Sequence, residues 1–210
     1  MFERAAASVV TVAAADDEAP RAVGSGFVWA VGEGPPSQAL IVCNAHILAQ
    51  QGSVTVRLGG VELSARVVGK SAAQDVAVLE ANLPEGFLAS ALPLGSARRL
   101  RVGQAVYALG GGAGGVSMTC GLVSGLNRSI PSPALPANAI TGCIQSDAAV
   151  QGGSSGGPLL NSAGQVVGLS TVSFTRLGTE GSSGLSFAVS SEALEAIVPS
   201  LIANKSARDD

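Results

Sequence analysis

A serine set among glycines and a single histidine are the residues of this chain that can transfer an acyl group. Ser155 lies within the segment GGSSGGPL at residues 152–159. Glycines on both sides let the backbone approach a substrate closely and direct N–H groups toward one point, as the binding of a developing oxyanion requires. His46 is the one histidine of the sequence. An imidazole base for Ser155 within this chain can therefore only be His46.

A carboxylate that orients the imidazole would complete a set of nucleophile, base and orienting group. Asp75 opens the otherwise apolar segment DVAVL, and a carboxylate at the rim of a buried strand is costly unless it is paired. We expect Ser155 to be the nucleophile, His46 the general base and Asp75 the residue that fixes the imidazole tautomer. The N–H groups of Gly153 and Ser155 are expected to form the oxyanion hole.

The order of these three residues along the chain separates the hydrolase classes. Residues 153–157 also match the G-x-S-x-G elbow of α/β-hydrolases, but that fold places its histidine after the serine, and no histidine follows Ser155. The subtilisin order needs an aspartate before the histidine, and only Asp16 and Asp17 qualify, in a stretch typical of an exposed turn. The remaining class is the chymotrypsin-like double barrel.

The hydrophobic pattern predicts an all-β chain in two halves. With 28 glycines and only 13% charged residues in 210, the composition is typical of a β-rich globular protein with many tight turns. Short β-branched runs predict about six strands over residues 9–81, a linker over 82–101 and about six more strands over 102–190, a pattern typical of paired β-barrels or of a sandwich. The runs of the second half are 105–109, 118–126, 143–145, 165–169 and 186–189.

The last part of the chain changes its period. Apolar residues at helical spacing predict an amphipathic helix over about residues 191–204, with Pro199 expected to kink or restart it. We therefore expect one chymotrypsin/trypsin-like protease domain over residues 1–210, with a short N-terminal segment and a C-terminal helix.

Composition and charge exclude several other classes. A net charge of −3 gives no electrostatic case for binding nucleic acid. No apolar run reaches about 18 residues, so no integral membrane segment is expected, and the start of the chain lacks the pattern of a targeting peptide. Cys43, Cys120 and Cys143 have no metal-ligand spacing, so no metal site is expected. We interpret them as structural thiols, with a Cys120–Cys143 disulfide left open for an oxidising compartment.

A set of short motifs resembles the protease domain of the HtrA/Deg serine proteases over nearly the whole chain. These motifs are residues 24–27 (GSGF), 44–46 (NAH), 75–79 (DVAVL), 102–104 (VGQ), 121–124 (GLVS), 144–148 (IQSDA) and 155–160 (SGGPLL). The resemblance implies a double β-barrel that uses no cofactor and cleaves unfolded or damaged proteins without ATP. Carried over, His46, Asp75 and Ser155 are its catalytic triad.

A narrower resemblance is to the plant and algal Deg proteases of the thylakoid lumen, and among these to members without a PDZ domain. It is carried by residues 2–4 (FER), 128–133 (RSIPSP), 174–176 (FTR) and 182–184 (SSG). The resemblance implies the chloroplast thylakoid lumen, a role in photosystem II repair, and no PDZ domain in this chain. It also implies a homotrimer or a hetero-oligomer with a related PDZ-bearing Deg protease, with Phe2 as a candidate trimer contact.

Substrate preference rests on two residues upstream of the nucleophile. Ala149 and Val150 precede Ser155 by six and five positions, where residues of this fold line the S1 pocket. Neither is charged, so a basic P1 residue is not favoured, and we expect a small apolar pocket.

Because the base must be neutral, activity should fall in mildly acidic solution as His46 is protonated.

Two other functions stay open. The first is a catalytically weak or inactive subunit that assembles with and regulates a PDZ-bearing Deg protease. It is motivated by residues 110–115 (GGGAGG), where the family often has Gly-Asn-Pro-aromatic-Gly. The second is a nonenzymatic chaperone, whose activity would be unchanged by Ser155→Ala.

Overall fold

The computed structural model describes residues 1–15, 22–32, 37–48, 52–112, 114–150, 153–175 and 182–206. Gly152 of the nucleophile segment, Ala113 and the pair Asp16 and Asp17 lie outside the described residues. The strands are β1 (Val9–Ala15), β2 (Ala22–Val31), β3 (Gln38–Cys43), β4 (Ser53–Leu58), β5 (Val61–Ser71), β6 (Val76–Asn82), β7 (Ala105–Gly112), β8 (Gly115–Pro131), β9 (Ala139–Ser146), β10 (Pro158–Leu160), β11 (Val166–Thr175) and β12 (Ser182–Ser190). The helices are α1 (Phe2–Ala6) and α2 (Ser191–Ser206), and short 3-10 turns lie at Ala45–Leu48 and Ala97–Arg99.

The first six strands form a closed antiparallel barrel in the order β1-β2-β3-β6-β5-β4, with β4 pairing back onto β1. In β4 the apolar residues alternate with exposed ones, so that Val56 and Leu58 are fully buried. Strand β6 is buried along nearly its whole length because other elements cover both of its faces. Its register with β3 places Ile41 opposite Leu79 in the barrel interior.

The last six strands form a second closed barrel in the order β10-β11-β12-β9-β8-β7. The predicted pair of six-stranded barrels is therefore confirmed. The sequence pattern missed β10, because three residues that begin with a proline are too few to show a strand period. Leu159 pairs with Ala108 of β7 and with Gly168 of β11. This short strand closes the barrel and begins three residues after Ser155.

The C-terminal helix α2 packs onto a hydrophobic core that both barrels share. Leu194 and Val198 are fully buried, and they belong to the same apolar cluster as Phe27 of the first barrel and Leu109 of the second. The expected restart at Pro199 is wrong, since α2 continues through this residue. Among the described residues, no helix has the length and apolar character needed to cross a membrane.

The three cysteines are free: Cys43 and Cys143 are buried and Cys120 is exposed. The disulfide between Cys120 and Cys143 that the sequence left open is therefore not formed.

Candidate active site

His46 lies on a 3-10 turn directly after β3 of the first barrel. The flanking residues Ala45, Ile47 and Leu48 are buried in the core of this barrel. The His46 side chain alone remains 29% exposed. The turn is thus fixed by apolar contacts on one side and presents its imidazole to solvent on the other.

Asp75 occupies the turn between β5 and β6 and binds His46 through both carboxylate oxygens. Its Oδ2 lies 2.8 Å from Nδ1 of His46, and its Oδ1 accepts the His46 backbone N–H at 2.9 Å. The Asp75 side chain is completely buried, a costly position that these two hydrogen bonds offset. Because a carboxylate only accepts, Nδ1 carries the proton and Nε2 is free to act as a base.

The backbone of Asp75 is left-handed, with a φ of 54°. Aspartate and asparagine tolerate this conformation better than most residues. The carbonyl of Asp75 accepts a hydrogen bond from Nδ2 of Asn44 at 2.8 Å, and the same nitrogen lies 3.0 Å from Oγ1 of Thr171. Asn44 therefore links the aspartate turn of the first barrel to β11 of the second.

Sequence reasoning assigned no role to Asn44 or Thr171. Asn44 entered only as part of a resemblance motif, although a polar residue between the apolar end of β3 and His46 was a usable signal. Asn44 is fully buried, and within the described part of the chain its Oδ1 has no hydrogen-bond partner. Thr171 gave no signal, because its contact depends on how the two barrels pack.

The thiol of Cys43 lies beside this pair. Burial raises the pKa of Cys43 far above its ordinary value, and the negative charge of Asp75 raises it further. The thiol therefore stays protonated. It packs as a small apolar side chain in the core of the first barrel.

Ser155 lies on a glycine-built turn between β9 and β10. Gly153 and Gly156 have φ values of 92° and 89°, which glycine adopts without strain. A Cβ at Gly156 would overlap the carbonyl oxygen of Ser25, and one at Gly157 would overlap that of Leu109. The close approach of three backbone segments thus requires glycine on the C-terminal side of the serine.

Backbone hydrogen bonds fix this turn between the two barrels. The Ser155 carbonyl accepts the N–H of Ser25 in β2 at 2.7 Å, and the N–H of Gly156 donates to the Ser170 carbonyl in β11 at 2.7 Å. The N–H groups of Gly153 and Ser155 have no hydrogen-bond partner within the described ranges. Two donors on either side of Ser154 are therefore available to an oxygen atom of a ligand.

The histidine turn and the serine turn pack against each other through Ile47. The Cδ1 atom of Ile47 lies 3.1 Å from where a Cβ of Gly156 would stand. It also fills the space beside Gly24, whose own Cβ position is 3.1 Å from the Ser155 carbonyl oxygen. His46, Asp75 and Ser155 thus lie at the junction of the barrels, the first two from the first barrel and the serine from the second.

Next to this junction, Val150 lines a small cavity together with Ser170, Ser186 and Phe187. Ala149, which was predicted with Val150, does not line it; its carbonyl instead accepts the Thr119 hydroxyl at 2.8 Å. Sequence reasoning missed the residues that β12 contributes. The full lining consists of Ser146, Ala148, Val150, Leu159, Ser170, Ser186, Phe187 and Ala188. None of these is charged, so the cavity offers no ionic partner to a basic side chain.

Within the described ranges, no group of three or more histidine, cysteine, aspartate or glutamate residues could hold a metal ion. The chemistry that this arrangement supports is nucleophilic attack by a hydroxyl, with an imidazole as base and two backbone donors for an anionic intermediate.

The sequence of this chain is similar to those of known proteases. The family model of the trypsin-like peptidase domain matches residues 24–169. Protease Do-like 5, chloroplastic, of Arabidopsis thaliana is 37% identical over 192 residues, which cover 85% of this chain and 57% of that protein. Protease Do-like 1, chloroplastic, of the same plant is 37% identical over 187 residues, which cover 88% of this chain and 40% of that protein. The chain thus spans about half the length of these two relatives.

Two solved structures of proteases have a similar fold. The crystal structure of Deg5 superposes with a TM-score of 0.77 at 32% identity, covering 96% of this chain and 91% of that one. The HtrA-type protease AlgW with a tripeptide superposes with a TM-score of 0.80 at 30% identity, covering 96% of this chain and 62% of that one.

Proposed function

This chain belongs to the HtrA/Deg family of trypsin-like serine proteases, and we propose that it is a serine endopeptidase whose catalytic triad is His46, Asp75 and Ser155. The observation that carries the proposal is the pair of hydrogen bonds from His46 to the buried Asp75 carboxylate. A buried carboxylate paired twice to one histidine, beside a serine on a glycine turn, has the form of an acyl-transfer site.

The proposed reaction follows from these contacts. Ser155 Oγ attacks the scissile carbonyl while its proton passes to Nε2 of His46, and the Asp75 carboxylate stabilises the resulting imidazolium. The N–H groups of Gly153 and Ser155 bind the oxyanion. The C–N bond then breaks as His46 gives the proton to the leaving amine. Water, activated by the same imidazole, hydrolyses the acyl-enzyme and regenerates Ser155.

The substrates that we propose are unfolded or damaged proteins, cleaved without ATP. We propose a small apolar P1 residue, because the residues that line the cavity at Val150 and Phe187 are uncharged. An S1 pocket of this kind cannot pair with a lysine or arginine, so basic P1 residues are cleaved poorly.

We further propose that the protein acts in the chloroplast, in the thylakoid lumen, and serves photosystem II repair. The two Arabidopsis relatives named chloroplastic support the compartment. The proposed assembly is a homotrimer or a hetero-oligomer with a PDZ-bearing Deg protease. Phe2 of α1 is the proposed trimer contact, and with 37% of its surface exposed it is accessible to a partner subunit.

A catalytically weak subunit is the second candidate, and the β7–β8 hairpin favours it. Gly112 of β7 pairs directly with Gly115 of β8, and the described residues at this end of the hairpin, 110–112 and 114–115, are all glycine. It presents no aromatic or proline side chain at residues 110–115 that could brace the nucleophile turn. Such a subunit would need a partner to become active.

Cleavage of casein by wild type and Ser155→Ala tests the proposal. Cleavage by the wild type alone that is lost in the variant supports a protease that needs no partner. An inactive wild type that becomes active on mixing with a PDZ-bearing relative supports the subunit. Suppression of aggregation that is equal in both proteins, without cleavage, would support a chaperone. Equal cleavage by both proteins would overturn the triad.

A further inference from the structure

Ser25 of β2 is a completely buried serine that is not part of the proposed triad. A buried hydroxyl needs hydrogen-bond partners, and this one has two that belong to the second barrel. Its Oγ accepts the N–H of Gly111 at 2.8 Å and donates to the carbonyl of Gly153 at 2.5 Å. A longer approach to the Gly111 carbonyl, at 3.4 Å, is the weaker alternative for the same proton.

The backbone of Ser25 acts on the same turn. Its N–H donates to the Ser155 carbonyl at 2.7 Å. One residue of the first barrel therefore binds the carbonyl at each end of the segment from Gly153 to Ser155. The N–H groups of Gly153 and Ser155 remain without a partner in the part of the chain that the structure describes.

The backbone conformation of Gly153 depends on the hydrogen bond from the Ser25 hydroxyl, because glycine is less restricted than other residues. Its φ of 92° is one of several that a glycine can adopt at little cost, so the local sequence does not fix its peptide planes. Around a Cβ at Gly153 the nearest described atom, the Gly111 carbonyl oxygen, would be 3.7 Å away. Packing therefore leaves Gly153 room to rotate, and the Ser25 hydroxyl is the side-chain group that restrains it.

We propose that Ser25 is a positioning residue for the oxyanion hole: its hydroxyl joins the end of β7 at Gly111 to the Gly153 carbonyl and so fixes the Gly153–Ser154 peptide plane. The Gly153 N–H lies in the preceding peptide, and Ser25 restrains this donor by limiting the rotation about the Gly153 Cα. This inference rests on the proposed function. Ser25 does not touch substrate. It acts through the orientation of a donor that matters in the transition state more than in the bound substrate.

The test compares Ser25→Ala and Ser25→Cys with wild type on a peptide substrate with valine at P1. The thiol of Ser25→Cys fills the site of the hydroxyl but donates only weakly, so this variant preserves packing if the alanine variant folds poorly. We expect kcat to fall about 10-fold to 100-fold in each, a part of the loss seen when an oxyanion donor is removed. KM should stay within about threefold, because the ground state makes little use of this donor.

The affinity for a peptide boronate with the same P1 valine is a second measurement, and a loss of protein stability alone would not change it. Its tetrahedral adduct occupies the oxyanion hole, so its affinity should fall by the same factor as kcat, while the affinity for a product peptide stays unchanged.

Ser191→Ala is the matched control. Ser191 is also fully buried, accepts the Ala97 N–H at 3.1 Å and donates to Glu192 at 3.3 Å, but it lies at the start of α2. The Ser191→Ala variant should have a lower melting temperature than the wild type and an unchanged kcat.

The outcomes are distinct. Ser25 variants of an active wild type that keep kcat within twofold, or that lose it only as much as Ser191→Ala does, overturn the assignment of Ser25. A wild type that does not cleave the peptide, or a Ser155→Ala variant that cleaves it equally well, overturns the proposed function itself, and the inference falls with it.

Discussion

Asp75 holds His46 at two points, since one carboxylate oxygen binds Nδ1 at 2.8 Å and the other binds the backbone N–H at 2.9 Å. The two residues are 29 positions apart and lie on different loops of the first barrel. The side-chain contact sets the tautomer and the backbone contact sets the position of the turn. The imidazole is thereby oriented before any substrate arrives.

The variant Asp75→Asn should keep the contact to the His46 backbone and lose the contact to the imidazole. Asparagine tolerates the left-handed backbone at this position, and its carbonyl oxygen can still accept the His46 N–H. Its amide group, however, would face Nδ1 and favour the wrong tautomer. We expect kcat to fall by about 10⁴-fold, with KM and the melting temperature little changed. Steady-state kinetics on casein-derived peptides would measure this, and a loss of less than tenfold would contradict the role of Asp75.

The pH dependence of the rate follows from the role of His46. A protonated imidazole cannot accept the proton of Ser155, so kcat/KM should fall as the pH is lowered from 8 to 5. The rate is measured on a peptide without titratable groups. A flat profile over this range would show that His46 is not the base.

Gly156→Ala and Gly103→Ala form a matched pair. Both glycines have a left-handed φ, 89° and 86°, but a Cβ at Gly103 meets no described atom within 4 Å, whereas one at Gly156 overlaps the Ser25 carbonyl. We expect Gly103→Ala to lower the free energy of unfolding by about 1–2 kcal/mol. Gly156→Ala should lower it by about 4 kcal/mol, since overpacking adds to the strain. Urea denaturation measures both values, and equal losses would mean that the Ser25–Gly156 approach is looser than described.

Much of the fold was predictable because its signals are local. Strand β4 alternates apolar and polar residues, and strands such as β3 and β6 are short apolar runs, so both kinds of strand signal are visible in the sequence. Asp75 was detectable because a carboxylate beside a buried strand demands a partner, and the single histidine left one choice. Strand β10 was not detectable, since Pro158, Leu159 and Leu160 acquire their strand character only by pairing with β7 and β11.

The parts of the site that sequence reasoning missed depend on contacts between the barrels. Thr171 meets Asn44, and Ser25 meets Gly153, across 127 and 128 positions respectively. No local pattern marks such pairs. Ala149 and Val150 were predicted in the S1 pocket from their distance to Ser155 along the chain, and this stays a prediction. Val150 lines a small cavity together with residues of β12, and the Ala149 carbonyl accepts the Thr119 hydroxyl.

Thiol reactivity should follow burial. Burial raises the pKa of Cys143 to about 11, and burial together with the Asp75 charge raises that of Cys43 further. Since the thiolate is the reactive form, the folded protein at pH 8 should react with an aromatic disulfide reagent at Cys120 alone. The unfolded chain should react at its three cysteines. Fast reaction of Cys43 or Cys143 in the folded protein would contradict this packing, and Cys120→Ser should abolish the fast phase.

The reaction of Ser155 with a phosphonylating reagent tests whether Ser155 is a nucleophile activated by His46. The reagent forms a covalent bond only with a serine activated by a neighbouring base, and mass analysis of the digested protein locates the adduct. We expect one adduct per chain, on the peptide that contains Ser155, and its loss in both Ser155→Ala and His46→Ala. Labelling of another serine, or of Ser155 at an undiminished rate in His46→Ala, would contradict the triad.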